Sequence, residues 1–465
     1  AGAGGSQEGI AMNATGIAMN ATGIAMNATG IAMNATGIAM NATDTSLRVD
    51  QVVMEFSLRG GIEAVAFELQ RAFRAVQADC RVVTSLADET APDVQRIATW
   101  VGRIRTRGRM RHVGRALAVP LFTLAATRFL RTSRRDGRVV LSHGDTLAGD
   151  ICVVHAVNRA SLAMKQAAGS RKWMLNPMHH WVSLRDRVMI GGLRFRRYVA
   201  LSERVIQELQ QYYAVPRDRI VLIPNGVNLD RFTAAPVDRA ATRAGLGLPA
   251  EAPVLLFVGH EFERKGLIHA IGALAALENR DARLVVVGAG RVAPFEQQAQ
   301  RLGVGSRVLF TGPRNDLPQL YRMADAFVFP TTYESFSLTC MEAMACGLPV
   351  FATAVGGIED YLRDGHNGRI IPGDGAAIAA ALRPMLRDPA LRQRFRDGAL
   401  ATSAEYGWPR IAARYLSLLD EVRREIAEDA LSNTVSRRRP AIIQNPAIAQ
   451  TSNSVLPPRG SAPCN

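Results

Sequence analysis

Lysine is nearly missing from this sequence: of its 56 basic residues only Lys165, Lys172 and Lys265 are lysines. A lysine inside a motif therefore stands out. Cysteine is scarce too. Cys80, Cys152, Cys340, Cys346 and Cys464 are scattered, odd in number and form no CxxC pair. That pattern supports neither a zinc ribbon nor a disulfide scaffold and fits a reducing compartment. Long apolar runs are absent as well. The best, Ala116 to Thr127, is 12 uncharged residues closed by Arg115 and Arg128, too short to span a bilayer. No signal peptide is recognisable in a sequence that starts at Ala1. Aromatic residues make up only 6%. The densest basic run, Arg103 to Arg138, has no series of interleaved aromatic platforms, and no known nucleic-acid module is present, so the net charge of +15 is weak support for nucleic-acid binding.

What is present is a globular composition, 48% apolar and 21% charged, over 465 residues. Five copies of Gly-Ile-Ala-Met-Asn-Ala-Thr run from Gly9 to Thr43. Their seven-residue period fails as a coiled coil, because the strong apolar residues lie two apart, as at Ile17 and Met19. Residues 1–44 are expected to be a disordered repeat tail. Residues 433–465, with Arg437-Arg438-Arg439 followed by Pro, Ser and Asn, are expected to be a second tail.

Between the tails, short apolar strands alternate with helical patterns, the signature of parallel α/β layers. Strands are expected at 51–56, 80–85, 139–142, 151–155, 198–201 and 220–223, and again at 254–258, 284–287, 308–311, 326–329 and 349–352. Residues 45–227 then form one α/β domain, 228–250 a connection, and 251–405 a second α/β domain, followed by a helix over 406–432. Charge divides at the same place. Residues 45–250 carry 32 basic and 17 acidic groups, whereas residues 251–432 carry 20 and 22. Eleven arginines and one acid, Asp136, fall between Arg103 and Arg138.

The most informative stretch runs from Thr331 to Pro349. It follows a buried strand, and its spacing predicts a helix from near Ser337 to Gly347. A helix N-terminus at the carboxyl end of a parallel strand is a ligand position, and its free N–H groups suit phosphate. Glu334 and Glu342 frame it, and carboxylates accept pairs of sugar hydroxyls. Arg264 and Lys265 follow the strand 254–258. Arg as a planar fork and Lys as a point charge suit a diphosphate.

In these motifs the chain resembles the retaining glycosyltransferases of family 4. Glu334 and Glu342 match the paired-glutamate motif of that family, and Arg264 and Lys265 match its cationic pair. Gly60-Gly61-Ile62-Glu63 is similar to its glycine loop, and His155 to its first-domain histidine near the reacting sugar. Ser202-Glu203, Pro224-Asn225-Gly226-Val227 and Trp408 match further landmarks. Ser335 and Ser337 flank Phe336 where the family usually has glycines, and His260 stands where many members have Arg. The string from Phe262 to Gly266 is closest to lipopolysaccharide-core members.

The resemblance implies a GT-B fold, two Rossmann-like parallel α/β domains facing each other across a cleft. It implies a nucleotide-diphosphate sugar as donor, without cofactor or metal. Glu342 would hold the ribose, Glu334 the sugar, and Arg264, Lys265 and the N–H groups of Phe336, Ser337 and Leu338 the diphosphate. Gly60 and Gly61 would face the donor. Transfer of a hexose-type sugar with retention to an envelope glycan or lipid-linked acceptor is the implied reaction. An epimerase or hydrolase on the same fold is the alternative, and a nucleic-acid-binding protein is a weaker rival.

Other features have simpler readings. Gly288 and Gly290 lack the third glycine and downstream acid of a dinucleotide fingerprint, so a tight turn is expected. His179-His180 has no evident third metal ligand, and the basic, aromatic stretch from Arg171 to Tyr198 reads as a helical face. Cys340 and Cys346 read as packed thiols. Arg103 to Arg138 brackets an apolar run, as in a helix lying on an anionic membrane, with Pro120 arguing against one uninterrupted helix. The expected location is cytoplasmic, peripheral on the inner face of the membrane.

Overall fold

The computed structural model describes residues 47–58, 60–104, 110–167, 169 and 172–438, together with short strands at 18–19, 25–26, 31–33 and 39–41. Two fully parallel sheets organise the chain. The first has seven strands in the order Ile220–Leu222, Arg197–Ala200, Ile151–Val154, Val139–Ser142, Arg48–Val52, Asp79–Thr84 and Val94–Arg96. The second has six in the order Val308–Gly312, Arg283–Val287, Val254–Val258, Ala326–Phe329, Val350–Ala352 and Gly368–Ile370. In each sheet the first strand lies in the middle and the chain winds outward both ways, so strand order reverses beside it. The central strands are buried on both faces, which is why they read as continuous apolar runs. The edge strands Val94–Arg96 and Gly368–Ile370 were not expected. Each is short and half exposed, with polar or charged residues in place of an apolar run.

The amino end of the first sheet is tied by a buried carboxylate. Asp50, fully buried, accepts from Arg81 Nε and a second Arg81 nitrogen at 2.9 and 2.8 Å and from Arg138 Nε at 2.7 Å. Arg138 also donates to Asp79 Oδ1 at 2.7 Å and to the Val49 carbonyl at 2.8 Å. One guanidinium thus joins three neighbouring strands at their starts. Arg138 was expected to face a membrane; it is 6% exposed and belongs to the core instead.

The helix Met110–Arg135 runs without interruption through Pro120. This corrects the expected break: proline forfeits one backbone hydrogen bond, and packing outweighs that cost here. Ala118, Phe122, Ala126 and Leu130, spaced by four, form a buried stripe against Val52, Val83, Val101 and Val140. Leu117 and Leu124 lie on the opposite face and are exposed, as are Arg128, Arg131 and Arg135. The apolar run is therefore divided between core and surface. Residues 105–109 of the arginine segment lie outside the described residues. Among the described residues no helix is long and apolar enough to cross a membrane.

From Val227 to Ala252 no ladder strand forms, and a short helix, Arg239–Ala244, lies within the stretch. The chain returns beside its start: the Val227 N–H donates to the Tyr406 carbonyl at 2.7 Å, and Trp408 packs so closely on Gly226 that a Cβ there would meet the indole at 2.5 Å. The helix that opens at Trp408 then reaches the first sheet, where Glu421 accepts from Arg197 at 3.1 Å. It ends at Arg438, inside the stretch expected to be tail, and 439–465 lie outside the described residues. In the repeats, Ala18–Met19, Ala25–Met26, Ile31–Met33 and Ala39–Asn41 pair antiparallel in sequence order. The structureless tail expected there is corrected at these positions. The repeat returns an Ala-Met pair every seven residues, and neighbouring copies pair Ala with Met across the ladder.

Replacing Arg138 leaves Asp50 buried against one cation in place of two. Arg138→Met is expected to lower unfolding free energy by about 3 kcal/mol, read as an earlier midpoint in urea. An unchanged midpoint would show that the pair carries no net stability.

Candidate active site

The strands Val254–Val258 and Ala326–Phe329 are neighbours at the point where the order of the second sheet reverses. The loops leaving their carboxyl ends are forced together, and each carries half of a charged cluster. Glu334 Oε1 accepts from an Arg264 terminal nitrogen at 3.0 Å, from Lys265 Nζ at 3.0 Å and from Thr331 Oγ1 at 3.2 Å. Arg264 Nε also donates to Glu261 at 2.7 Å, and a terminal nitrogen donates to the Tyr333 carbonyl. Lys265 Nζ lies 4.5 Å from the centroid of the Phe329 ring. Burial opposes the Arg264 charge, but Glu334 and Glu261 outweigh it and raise its pKa. The two cations are thus pre-assembled on one carboxylate oxygen.

The helix after this loop is Leu338–Ala345, with Ser337 in the left-handed region at φ 68° as its N-cap residue. Phe336 is buried against Tyr361 and Tyr406, so its contribution to the site is its backbone. Tyr361 Oη donates to the Phe336 carbonyl at 2.8 Å, turning that carbonyl inward. Gly356 fixes the same loop from below: it sits at φ 55°, and a Cβ there would fall 1.5 Å from the Glu334 carbonyl oxygen. Glu342 lies on the helix and accepts from Tyr321 Oη at 3.0 Å. Burial pushes its pKa up to about 7 against the opposing pull of that hydrogen bond. Gly288 confirms a tight turn, at φ 142° with a would-be Cβ 1.7 Å from the Gly259 carbonyl. Cys340 and Cys346 are buried free thiols pushed up to about 12, chiefly by burial.

A cavity of about 400 Å³ lies between the two sheets' carboxyl ends. Glu261, Arg264, Tyr333, Glu334 and Ser335 line it from one side, and His143, Asp145, His155, Lys165 and Arg185 are among those lining it from the other. The structure therefore brings His155, Arg264 and Glu334 to one space. Lys265 touches Glu334 from behind, and neither Lys265, Glu342, Phe336, Ser337 nor Leu338 lines this cavity. Gly60 and Gly61 form the entry to the helix Ile62–Ala75, and Ile62 reaches the lining.

Several lining residues escaped the sequence reading. Arg185 lies in the stretch taken for a helical face, on the helix Pro177–Asp186, and donates to Asp186 at 2.9 Å. Burial opposes its charge, but Asp186 and Asp145 raise its pKa. Asp145 accepts the Met54 N–H at 2.8 Å, and burial raises its pKa. His143 Nδ1 lies 2.9 Å from His155 Nε2. Burial, then the neighbouring His155, hold His143 well below its ordinary pKa, and burial lowers His155 to about 4. Nothing in the spacing of these residues marks them; the turn after the strand Val139–Ser142 carries His143 and Asp145 alone among them. His180 Nε2 donates to the Met174 carbonyl at 2.8 Å, and among the described residues no group of three or more His, Cys, Asp or Glu gathers as a metal site.

One side chain joins the halves at the cavity rim. Tyr333 Oη accepts the Val157 N–H at 3.3 Å and donates to Glu208 Oε2 at 3.2 Å. Glu208 is pushed up to about 7 by burial, opposed by this hydrogen bond. Asp360 accepts the Glu203 N–H at 3.0 Å, and Arg204 pairs with Glu359 at 3.2 Å.

Two family descriptions match the chain: Glycosyl transferases group 1 over residues 238–401 and Glycosyltransferase Family 4 over residues 59–231. A D-inositol 3-phosphate glycosyltransferase of Streptomyces bingchenggensis is 36% identical over 243 residues, covering 49% of this chain and 53% of the relative. That of Xylanimonas cellulosilytica is 40% identical over 232 residues, covering 47% and 55%. The chain spans about half the length of the curated relatives it matches. Among solved structures, WaaG, a glycosyltransferase involved in lipopolysaccharide biosynthesis, superposes with a TM-score of 0.65 at 24% identity, over 78% of this chain and 98% of that one. Sucrose-phosphate synthase from Thermosynechococcus elongatus gives 0.66 at 23% identity, over 81% and 99%. These likenesses establish the fold, which is GT-B.

The raised pKa of Glu342 sets a direction for stability. Between its ordinary value of 4.5 and about 7 the unfolded chain has released a proton that the folded chain keeps. The contribution of Glu342 to stability therefore falls as pH rises through that window and is flat above it. Glu342→Gln removes the effect. The melting temperature of the variant relative to the parent is expected to rise from pH 5 to pH 8 in thermal denaturation, whereas a constant difference would mean that the carboxyl is unperturbed.

Proposed function

The chain belongs to the family 4, group 1 glycosyltransferases, and we propose that it moves a hexose-type sugar from a nucleotide-diphosphate donor to a glycan or lipid-linked acceptor of the cell envelope, with retention. The observation that carries this reading is the shared cavity, with Arg264 and Glu334 on one wall and His155 on the other. A diphosphate entering beside Glu334 takes over the two cations that the carboxylate now holds. Negative charge grows on the departing phosphate oxygen as the glycosidic bond breaks. Fixed cations and the N–H groups of Phe336 to Leu338 stabilise that charge without reorganisation. Glu342 accepts ribose hydroxyls from its half-buried position, and Glu334 turns to the sugar. No step needs a metal: Arg264 and Lys265 supply the positive charge.

The acceptor enters from the first sheet. Lys165 and Arg185 border the cavity, and the curated relatives are named for D-inositol 3-phosphate. These two facts support a second acceptor reading, a phosphorylated polyol. The enzyme works on the inner face of the cytoplasmic membrane. Leu117, Leu124, Arg128, Arg131 and Arg135 share one exposed face of the helix Met110–Arg135, an apolar and cationic stripe suited to anionic lipid.

A thermal-shift screen of UDP-, GDP- and ADP-sugars identifies the donor. With that donor, Glu342→Ala is expected to weaken binding about tenfold or more in calorimetry, the loss of at least one charged hydrogen bond; unchanged affinity removes the ribose assignment. Donor consumed at full rate with no acceptor present would favour the hydrolase or epimerase. Changing Arg128, Arg131 and Arg135 together to Gln is expected to release the protein from anionic vesicles, at about 1 kcal/mol per charge. Equal co-sedimentation of variant and parent would refute the membrane assignment.

A further inference from the structure

His143 and His155 are brought together by strand pairing. His143 follows the strand Val139–Ser142 and His155 follows Ile151–Val154, and these strands are parallel neighbours with Ser142 opposite Cys152. The backbone holds His143 in place: its N–H donates to the Val52 carbonyl at 3.0 Å, and Gly144 turns the chain at φ 91° directly after it. The rings lie 5.2 Å apart between centroids at 21°. Both line the cavity that holds Arg264 and Glu334.

Two imidazole nitrogens 2.9 Å apart share one proton. Two N–H groups would clash, and two lone pairs would repel. His143 Nε2 decides which ring supplies it, because that atom is buried and has no hydrogen-bond partner among the described residues. A proton on Nε2 would be a buried donor with nothing to receive it, a rarer and costlier state than a bare lone pair. The proton of His143 therefore sits on Nδ1 and donates to His155 Nε2. His155 is then left with its own proton on Nδ1, which has no hydrogen-bond partner among the described residues. Burial lowers the pKa of both rings, so the pair is neutral at neutral pH.

We propose that His143 is a positioning residue that locks His155 in the Nδ1–H tautomer and so makes it a neutral hydrogen-bond donor toward the reacting sugar. The inference rests on the transferase reading only for what the donor faces; the tautomer is a property of the chain itself. Histidine alone in water favours the other tautomer, so the lock is detectable. A ring at position 143 without a donor removes it. The amide of Asn, whose nitrogen falls near the Nδ1 position, restores it.

The test is 15N NMR of the imidazole rings in the full chain, with Phe and Asn variants at 143 and His155→Gln for assignment. In the parent and in His143→Asn, His155 is expected to show a protonated Nδ1 and a bare Nε2. In His143→Phe the pattern reverses. With an identified donor and acceptor, His143→Phe is expected to lower kcat about tenfold with donor KM unchanged, and His143→Asn to recover most of it. A protonated His155 Nε2 in the parent, or a tautomer indifferent to residue 143, overturns the proposal. A tautomer that follows residue 143 in a chain that transfers no sugar from any nucleotide donor supports the lock and overturns the transferase reading instead.

Discussion

The strands Val254–Val258 and Ala326–Phe329 lie side by side although two further strands separate them in sequence. A parallel strand returns only through a crossover, and where successive crossovers pass to opposite sides of the sheet their loops cannot close over the strand ends. The crevice left there is the place where Arg264 and Lys265 meet Glu334. The whole charged cluster at this end of the second sheet follows from that reversal. The loop after the first strand supplies cations, the loop after the fourth supplies the carboxylate and the helix N-terminus, and the glycine at 356 lets the second loop sit low enough to meet the first. The first sheet repeats the device, reversing beside Arg48–Val52, and there the loop after Val139–Ser142 supplies His143 and Asp145.

Charge placement follows burial more than sequence density. The first half of the chain carries the net positive charge, yet arginines drawn into its interior are neutralised in place: Arg138 by Asp50 and Asp79, Arg243 by Asp325, and the partly buried Arg185 by Asp186. A desolvated guanidinium needs its hydrogen bonds completed, by carboxylates here and by the Leu274 and Asn279 carbonyls at the buried Arg307. At the carboxyl end of the second sheet the arrangement differs. Arg264 and Lys265 converge on a single carboxylate oxygen that borders a cavity, so their partner is exchangeable. In the proposed reaction a diphosphate in that cavity would offer these cations more oxygens than Glu334 does.

Much of this was legible in the residues. Continuous apolar runs located most of the central strands to within a residue or two, and Ser337 and Gly347 bracketed the helix Leu338–Ala345, because burial on both faces and helix-ending residues leave direct marks; the strand expected at 51–56 instead runs over Arg48–Val52, with Glu55–Phe56 a separate short strand. What escaped was set by the third dimension. Pro120 was read as a break, but a stripe from Ala118 to Leu130 docked on four valines keeps the helix whole. Arg138 was counted with a membrane-facing series, although its position just before a buried strand turns it inward. His143 and Arg185 carry no spacing signal: one is paired across neighbouring strands, the other reaches the cavity from a helix whose remaining residues look like surface. The strands within the repeats are each two or three residues long, below what a periodicity argument resolves.

The two halves of the site are aligned through Tyr333. It precedes Glu334, so its ring position sets where the carboxylate and its cations sit. Its hydroxyl is held by the Val157 N–H, two residues beyond His155, and by Glu208 on the helix Glu203–Tyr213. The hydroxyl thus has both a donor and an acceptor, and each belongs to the first domain. Sliding one sheet past the other breaks both bonds and leaves a half-buried phenol and a buried carboxyl unsatisfied, a cost of about 1–3 kcal/mol for each group. Flanking contacts from Glu203 and Arg204 to Asp360 and Glu359 resist the same motion at the rim, but they are more exposed and weaker. The spacing between His155 and Glu334 is therefore held at its centre by one half-buried phenol, whose two partners both lie close to His155 in the first sheet's half.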